Sequence, residues 1–69
     1  MDAPVYKIVE LTGTSPDGVT EAMRNCVARA SSTLRGIDWI EVQDIRGRIV
    51  GNEITAFQVT LKLGFRLES

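Results

Sequence analysis

The chain contains no histidine, one cysteine, one tryptophan and one tyrosine, and its eight basic residues are offset by nine acidic ones. Each shortage excludes something. Without His there is no Ser–His or Cys–His nucleophile system. A single Cys, Cys26, cannot close an internal disulfide, and the usual nitrogen and sulfur zinc sites cannot be assembled. A formal net charge of −1 argues against nucleic acid, because a phosphate backbone calls for a strongly basic face. No apolar run approaches the ~20 residues of a membrane span. The start, Met1-Asp2-Ala3-Pro4, lacks the basic stretch and apolar core of a signal peptide. An unpaired Cys without an export signal points to the cytoplasm.

Size is the next shortage. Sixty-nine residues lie below the ~100–200 of a typical domain, so residues 1–69 are read as a single domain. A core this small rarely supplies more than about 3–5 kcal/mol. Small folds add disulfides, a metal or oligomerisation, and only the last is left here. The hydrophobic share of 43% is ordinary for a folded protein.

Four elements fill the chain. Val5 to Thr12 is rich in β-branched and aromatic residues and reads as a strand. Val5, Val9 and Leu11 fall on one face, Tyr6 and Ile8 on the other. The run Gly13 to Gly18 breaks the strand and opens a helix, with Ser15 as expected N-cap, Thr14 competing, and Pro16 at the first helical position. Asp17 complements the positive end of the helix dipole. Val19, Ala22, Met23, Cys26, Val27, Ala30 and Leu34 then form one apolar stripe at helical spacing. Cys26 lies within it, which favours a small buried hydrophobe over a reactive thiol. Gly36 is expected to end the helix, with Arg35 near its negative end.

Ile37 to Val50 reads as a second strand, Gly51-Asn52 as a turn, and Ile54 to Leu67 as a third strand. In the third, Phe57, Val59, Leu61, Leu63, Phe65 and Leu67 alternate with polar residues or Gly, the mark of a half-buried antiparallel strand. In the second, Ile40 and Val42 form a local core pair, but Ile45 and Ile49 have the opposite parity. That change predicts a bulge or bend between Val42 and Ile45, and Gly47 is the residue suited to it. The expected fold is α+β, β-α-β-β. Its three-stranded antiparallel sheet has order 1-3-2 and packs on one helix, with the opposite face uncovered.

One residue looks misplaced in this scheme. Alternation puts Trp39 on the uncovered face, with Glu41, Gln43, Gln58 and Thr60. Trp usually ends mostly buried, so something outside the monomer should cover it. A subunit interface is one reading, since Trp is enriched there. A stacking platform for a flat ring is the other, with Gln58 placed to pair with the edge of a heterocycle through its amide. Gln58 read alone is an ordinary solvated strand residue. Arg46 and Arg48 flank Gly47 and read either as solvated loop charges or as phosphate ligands. Lys7, Arg29, Lys62 and Arg66 fit interface salt bridges equally well, and such pairs are worth little when exposed.

The stretches LTGTSPDG, LRGIDWIEVQDIRG and FQVTLKLGFRLE resemble the dodecins, small bacterial and archaeal flavoproteins, and the likeness runs from Tyr6 to Glu68. The resemblance implies hollow homododecamers that bind flavins as pairs between protomers, sandwiched by two symmetry-related tryptophans. By matching position that residue is Trp39, and the Gln at the flavin's pyrimidine edge is Gln58. Asp44 matches the acidic residue after the Trp segment. Bacterial dodecins tend to hold FMN, with riboflavin the alternative, and Arg46 matches the arginine near the phosphate. Arg48 departs from the smaller or neutral residues usual there, adding phosphate affinity or only surface charge. Some bacterial members also carry coenzyme A through basic residues, for which Lys7, Arg29 and Arg66 are the candidates.

The implied role is storage, buffering and photoprotection of flavin rather than turnover, so the chain is read as a non-enzyme. A flavin-dependent reductase would need a substrate pocket and a proton donor, and no motif marks either. A purely structural oligomer is the remaining alternative. A single-strand nucleic-acid binder would need more than one exposed aromatic on the sheet.

Overall fold

The computed structural model describes residues 3–68. The first two residues of the signal-peptide reading, Met1 and Asp2, lie outside that range, as does Ser69. The element order is β1 (Tyr6–Ser15), α1 (Val19–Ser31), β2 (Ile37–Val50) and β3 (Glu53–Arg66). The sheet has order β1-β3-β2, with both outer strands antiparallel to β3. This is the α+β arrangement expected from the sequence. Among the described residues no helix is long and apolar enough to cross a membrane.

The alternation of β3 carries the core. Its odd residues Val59, Leu61 and Leu63 are fully buried and meet Ala22, Cys26 and Ala30 of α1. Val9, Val19, Met23, Val27, Leu34 and Ile37 pack around them. Every expected member of the helix stripe is therefore in or against the core, and Cys26 is a buried free thiol. Desolvation pushes its pKa up, so it stays a neutral hydrophobe. The helix approaches β1 closely at Gly13. A Cβ there would lie 2.2 Å from the Ala22 carbonyl oxygen and 2.6 Å from Cys26 Cβ. Asn25 adds a tie across the same contact, its Nδ2 donating to the Thr14 carbonyl at 2.9 Å.

Both ends of the helix differ from the sequence reading. The helix starts at Val19 behind Gly18, without a side-chain cap. Ser15 pairs with Phe57 as the last residue of β1, and its Oγ accepts from the Asp17 N–H at 3.0 Å. Strand pairing claims the residue before the helix can, so its hydroxyl shapes the turn instead. At the other end, the helix stops at Ser31, five residues before Gly36, with Arg29 in the last turn. Gly36 has φ 73° and leads the chain into β2, its carbonyl accepting from the Arg66 N–H at 3.1 Å.

The parity change in β2 is a register shift between Val42 and Asp44, one of three along the strand. Gln43 is the extra residue, not Gly47, which pairs regularly with Phe57. The insertion returns Ile45, opposite Val59, to the side of Val42, opposite Leu61. Gly51 and Asn52 close the β2–β3 hairpin with φ of 57° and 68°, the two positive values of a type I′ turn.

Ile40 and Val42 do face the helix side, but they are not a core pair. The helix packs on β1 and β3 and barely touches β2, which leaves them 41% and 46% exposed. An open apolar groove of about 460 Å³ runs there between Met23, Val27 and Ile40. Beyond the end of β1 the β2–β3 hairpin continues as a two-stranded arm, with Ile49, Val50 and Ile54 exposed. A two-stranded ribbon is marginal alone. The arm also stretches the chain to 57 × 20 × 13 Å, with a radius of gyration of 14.4 Å, against about 11 Å for a compact chain of this length.

Candidate functional site

Antiparallel partners share a face, so the register sorts the side chains. On the face away from α1 lie Tyr6, Ile8, Glu10, Thr12 and Thr14 of β1, opposite Arg66, Gly64, Lys62, Thr60 and Gln58 of β3. From β2 come Trp39, opposite Gly64, then Asp44 opposite Thr60, Arg46 opposite Gln58 and Arg48 opposite Ala56. Trp39, Gln58, Asp44, Arg46, Arg48 and Arg66 therefore share the uncovered face.

Trp39 lies flat on the sheet. A Cβ on Gly64 would fall 2.2 Å from Cε2 and Cζ2 and 2.7 Å from Cδ2 of the indole. The ring thus rests on bare backbone where any other residue would lift it. The register shift between Ile37 and Trp39 brings the side chain to this face, with Asp38 as the extra residue. The Tyr6 ring leans on the indole, centroids 4.8 Å apart at 52°. Its hydroxyl donates to Asp38 Oδ2 at 3.0 Å, which ties the β1 end to the bulge beside Trp39. That hydrogen bond is the main reason the Tyr6 pKa is raised, with nearby Arg66 pulling the other way. The indole remains 38% exposed, with one face on the sheet and the other open.

The other half of the face is polar. Arg46 Nε and Nη2 both donate to Asp44 Oδ2, at 3.2 and 2.5 Å. The two are neighbours on one strand face and about half exposed, so the pair is a surface ion pair of small net energy. Thr12 and Thr60 join hydroxyls at 2.8 Å across the centre.

Trp39 and Gln58 share a face, but Gln58 is not beside the ring. Trp39 stands opposite Gly64, six residues along β3 from Gln58, which is about 20 Å at ~3.4 Å per residue. The coenzyme A candidates are likewise dispersed. Lys7 stands opposite Phe65 and so faces the helix side, Arg66 faces the other, and Arg29 is on α1.

Three contributors were not singled out from the sequence. Alternation puts Tyr6 on the other face from Val9 and signals no role for it. Asp38 sits in a bulge, and Gly64 passed as one member of an alternating run. A lone Gly inside a strand marks a close approach, and that signal could have drawn attention to Gly64.

A family model described as Dodecin matches residues 5–68. The chain is 52% identical over 64 residues to a dodecin of Thermus thermophilus, covering 93% of each. It superimposes on the solved dodecin of Streptomyces coelicolor with a TM-score of 0.94 and 54% identity, covering 100% of this chain and 99% of that one. The dodecin of Streptomyces davaonensis gives 0.94 and 44%, covering 99% and 100%.

Proposed function

The chain belongs to the dodecin family, and on that premise we propose that it binds FMN or riboflavin in stacked pairs between protomers of a homododecamer. The assembly stores the flavin and shields it from light, without turning over a substrate. One observation carries the reading: the Trp39 indole is held flat over Gly64 on an uncovered sheet face, with its outer surface free. That is a preorganised platform for a planar ring. Stacking on an aromatic is worth about 1–3 kcal/mol, and a platform already pinned by Tyr6 pays little ordering cost.

The separation of Trp39 from Gln58 favours a site made by two chains. A second copy that lays its own polar half over the first chain's indole brings a Gln58 amide to the ring edge. Gln58 supplies a donor and an acceptor there. Arg46, opposite Gln58 on the same face, is the proposed ligand of the FMN phosphate, and Arg48 two residues further along adds charge toward the hairpin tip. Asp44 holds the Arg46 guanidinium in place and competes with phosphate for it.

Bound flavin supplies a light-absorbing, redox-active ring. Trp39 would hold its electron-rich indole against that ring, and electron donation from the indole would quench the ring's excited state. Coenzyme A remains a second proposed ligand. Lys7 and Arg29 on the helix side and Arg66 on the other would have to come together from different copies.

Fluorescence titration tests the reading. FMN added to the flavin-free protein is expected to lose its emission, saturating near one flavin per chain. Trp39→Ala is expected to weaken binding by about 1–3 kcal/mol with the oligomer intact. Undiminished FMN emission at high protein would refute the storage role. Dissociation of the Trp39→Ala oligomer would make Trp39 an interface residue instead.

A further inference from the structure

Trp39 and Tyr6 are the only Trp and Tyr in the chain, and they touch, with ring centroids 4.8 Å apart. The Tyr6 hydroxyl is committed to a carboxylate, Asp38 Oδ2, at 3.0 Å. Indole and phenol are the two aromatic side chains that one-electron oxidants attack. They differ in what oxidation demands. An indole can lose an electron and keep its proton for a time. A phenol radical cation is so strong an acid that oxidation is easy only when a base takes the proton in the same event. Asp38 is such a base, already hydrogen-bonded to the proton in question.

We propose that Tyr6 and Asp38 form a proton-coupled relay that re-reduces Trp39 after a one-electron oxidant has removed an electron from the indole. The oxidant gains that electron and leaves an indole radical cation. An electron passes from the Tyr6 ring to the indole across the ring contact, and the phenolic proton moves to Asp38 Oδ2. The products are a neutral indole, a neutral phenoxyl radical and a protonated carboxyl group. The positive charge on the indole and the negative charge on Asp38 cancel, so no net charge is left beside Arg66. A small soluble reductant, a thiol or ascorbate, then supplies one electron to the phenoxyl, and Asp38 returns the proton. The relay keeps the stacking platform from being consumed by oxidation. Nothing in it requires bound flavin, since any one-electron oxidant that reaches the exposed indole starts it.

The test uses the full chain without flavin, so failure of the flavin reading leaves it unaffected. Azide radicals generated by pulse radiolysis oxidise the indole, and transient absorption follows both radicals. The indole radical is expected to decay in step with phenoxyl growth, at a rate independent of protein concentration. Asp38→Asn is expected to slow the transfer at least about tenfold, equivalent to ~1.4 kcal/mol in the barrier. Asp38→Glu, which keeps a carboxylate, restores most of it. In Tyr6→Phe the indole radical persists. Absence of phenoxyl growth in the wild type, a rate proportional to protein concentration, or an unchanged rate in Asp38→Asn would each overturn the relay.

Discussion

Gly64→Ala perturbs the Trp39 platform without touching the indole itself. The added Cβ would sit 2.2 Å from two ring carbons and 2.7 Å from a third. Carbon atoms in contact settle about 3.5–4.0 Å apart, so the ring must retreat by more than ~1 Å or swing to another rotamer. Either movement disturbs its contact with Tyr6. A strained rotamer costs about 0.5–1.5 kcal/mol. The replacement itself favours the strand by roughly 0.5–1 kcal/mol, because Gly loses more backbone entropy on folding. Stability should therefore change little, while the stacking surface is lost. We expect FMN affinity to fall by about 1–3 kcal/mol, close to the loss in Trp39→Ala, and the two substitutions combined to cost no more than either alone. The assay is FMN quenching titration of the single and double variants, with tryptophan emission and a thermal melt as controls. Wild-type FMN affinity and unchanged indole emission in Gly64→Ala would refute the claim that bare backbone at this position makes the platform.

The remaining expectations follow from single contacts. Arg46→Ala should weaken FMN more than riboflavin, whereas Asp44→Ala frees the guanidinium from its carboxylate and should tighten FMN selectively; paired titrations with the two flavins read both effects, and equal changes for both ligands would exclude a phosphate contact. Gly13→Ala places a methyl 2.2 Å from the Ala22 carbonyl, so helix docking should weaken by about 3 kcal/mol, the upper part of the usual overpacking range, measured by urea denaturation. The Cys26 thiol should ignore a water-soluble disulfide reagent until the protein unfolds, being 5% exposed. Its pKa is raised in the folded state, so its contribution to stability is full below the ordinary value of 9.0 and declines as pH climbs above it. In Cys26→Ala that part of the alkaline loss should vanish.

Much of this was legible in the residues because it depends on period. The alternation from Phe57 to Leu67 announces its buried face wherever the strand is placed. The helix stripe from Val19 to Leu34 likewise declares its core side, and the parity conflict between Val42 and Ile45 requires an extra residue between them. The missed items depend on competition between partners. Ser15 and Pro16 carry a good helix-start signature, but β3 offers Ser15 a pairing with Phe57, and pairing prevails. Ile40 and Val42 have core chemistry, but the burial of a strand residue depends on where the helix lies, and it lies on β1 and β3.

The sequence by itself determined the element order, the face each strand turns inward, the burial of Cys26 and the anomaly of Trp39. These are local properties, set by periods of two and 3.6 residues and by residue chemistry. Only the tertiary structure decided what surrounds that anomaly. Gly64, Tyr6 and Asp38 meet Trp39 through strand register and a bulge, and register is a relation between distant segments that no single stretch encodes. The same register puts Gln58 about 20 Å from the indole at ~3.4 Å per residue. The platform and the polar half of one chain stand that far apart because the rise of a β-strand is fixed.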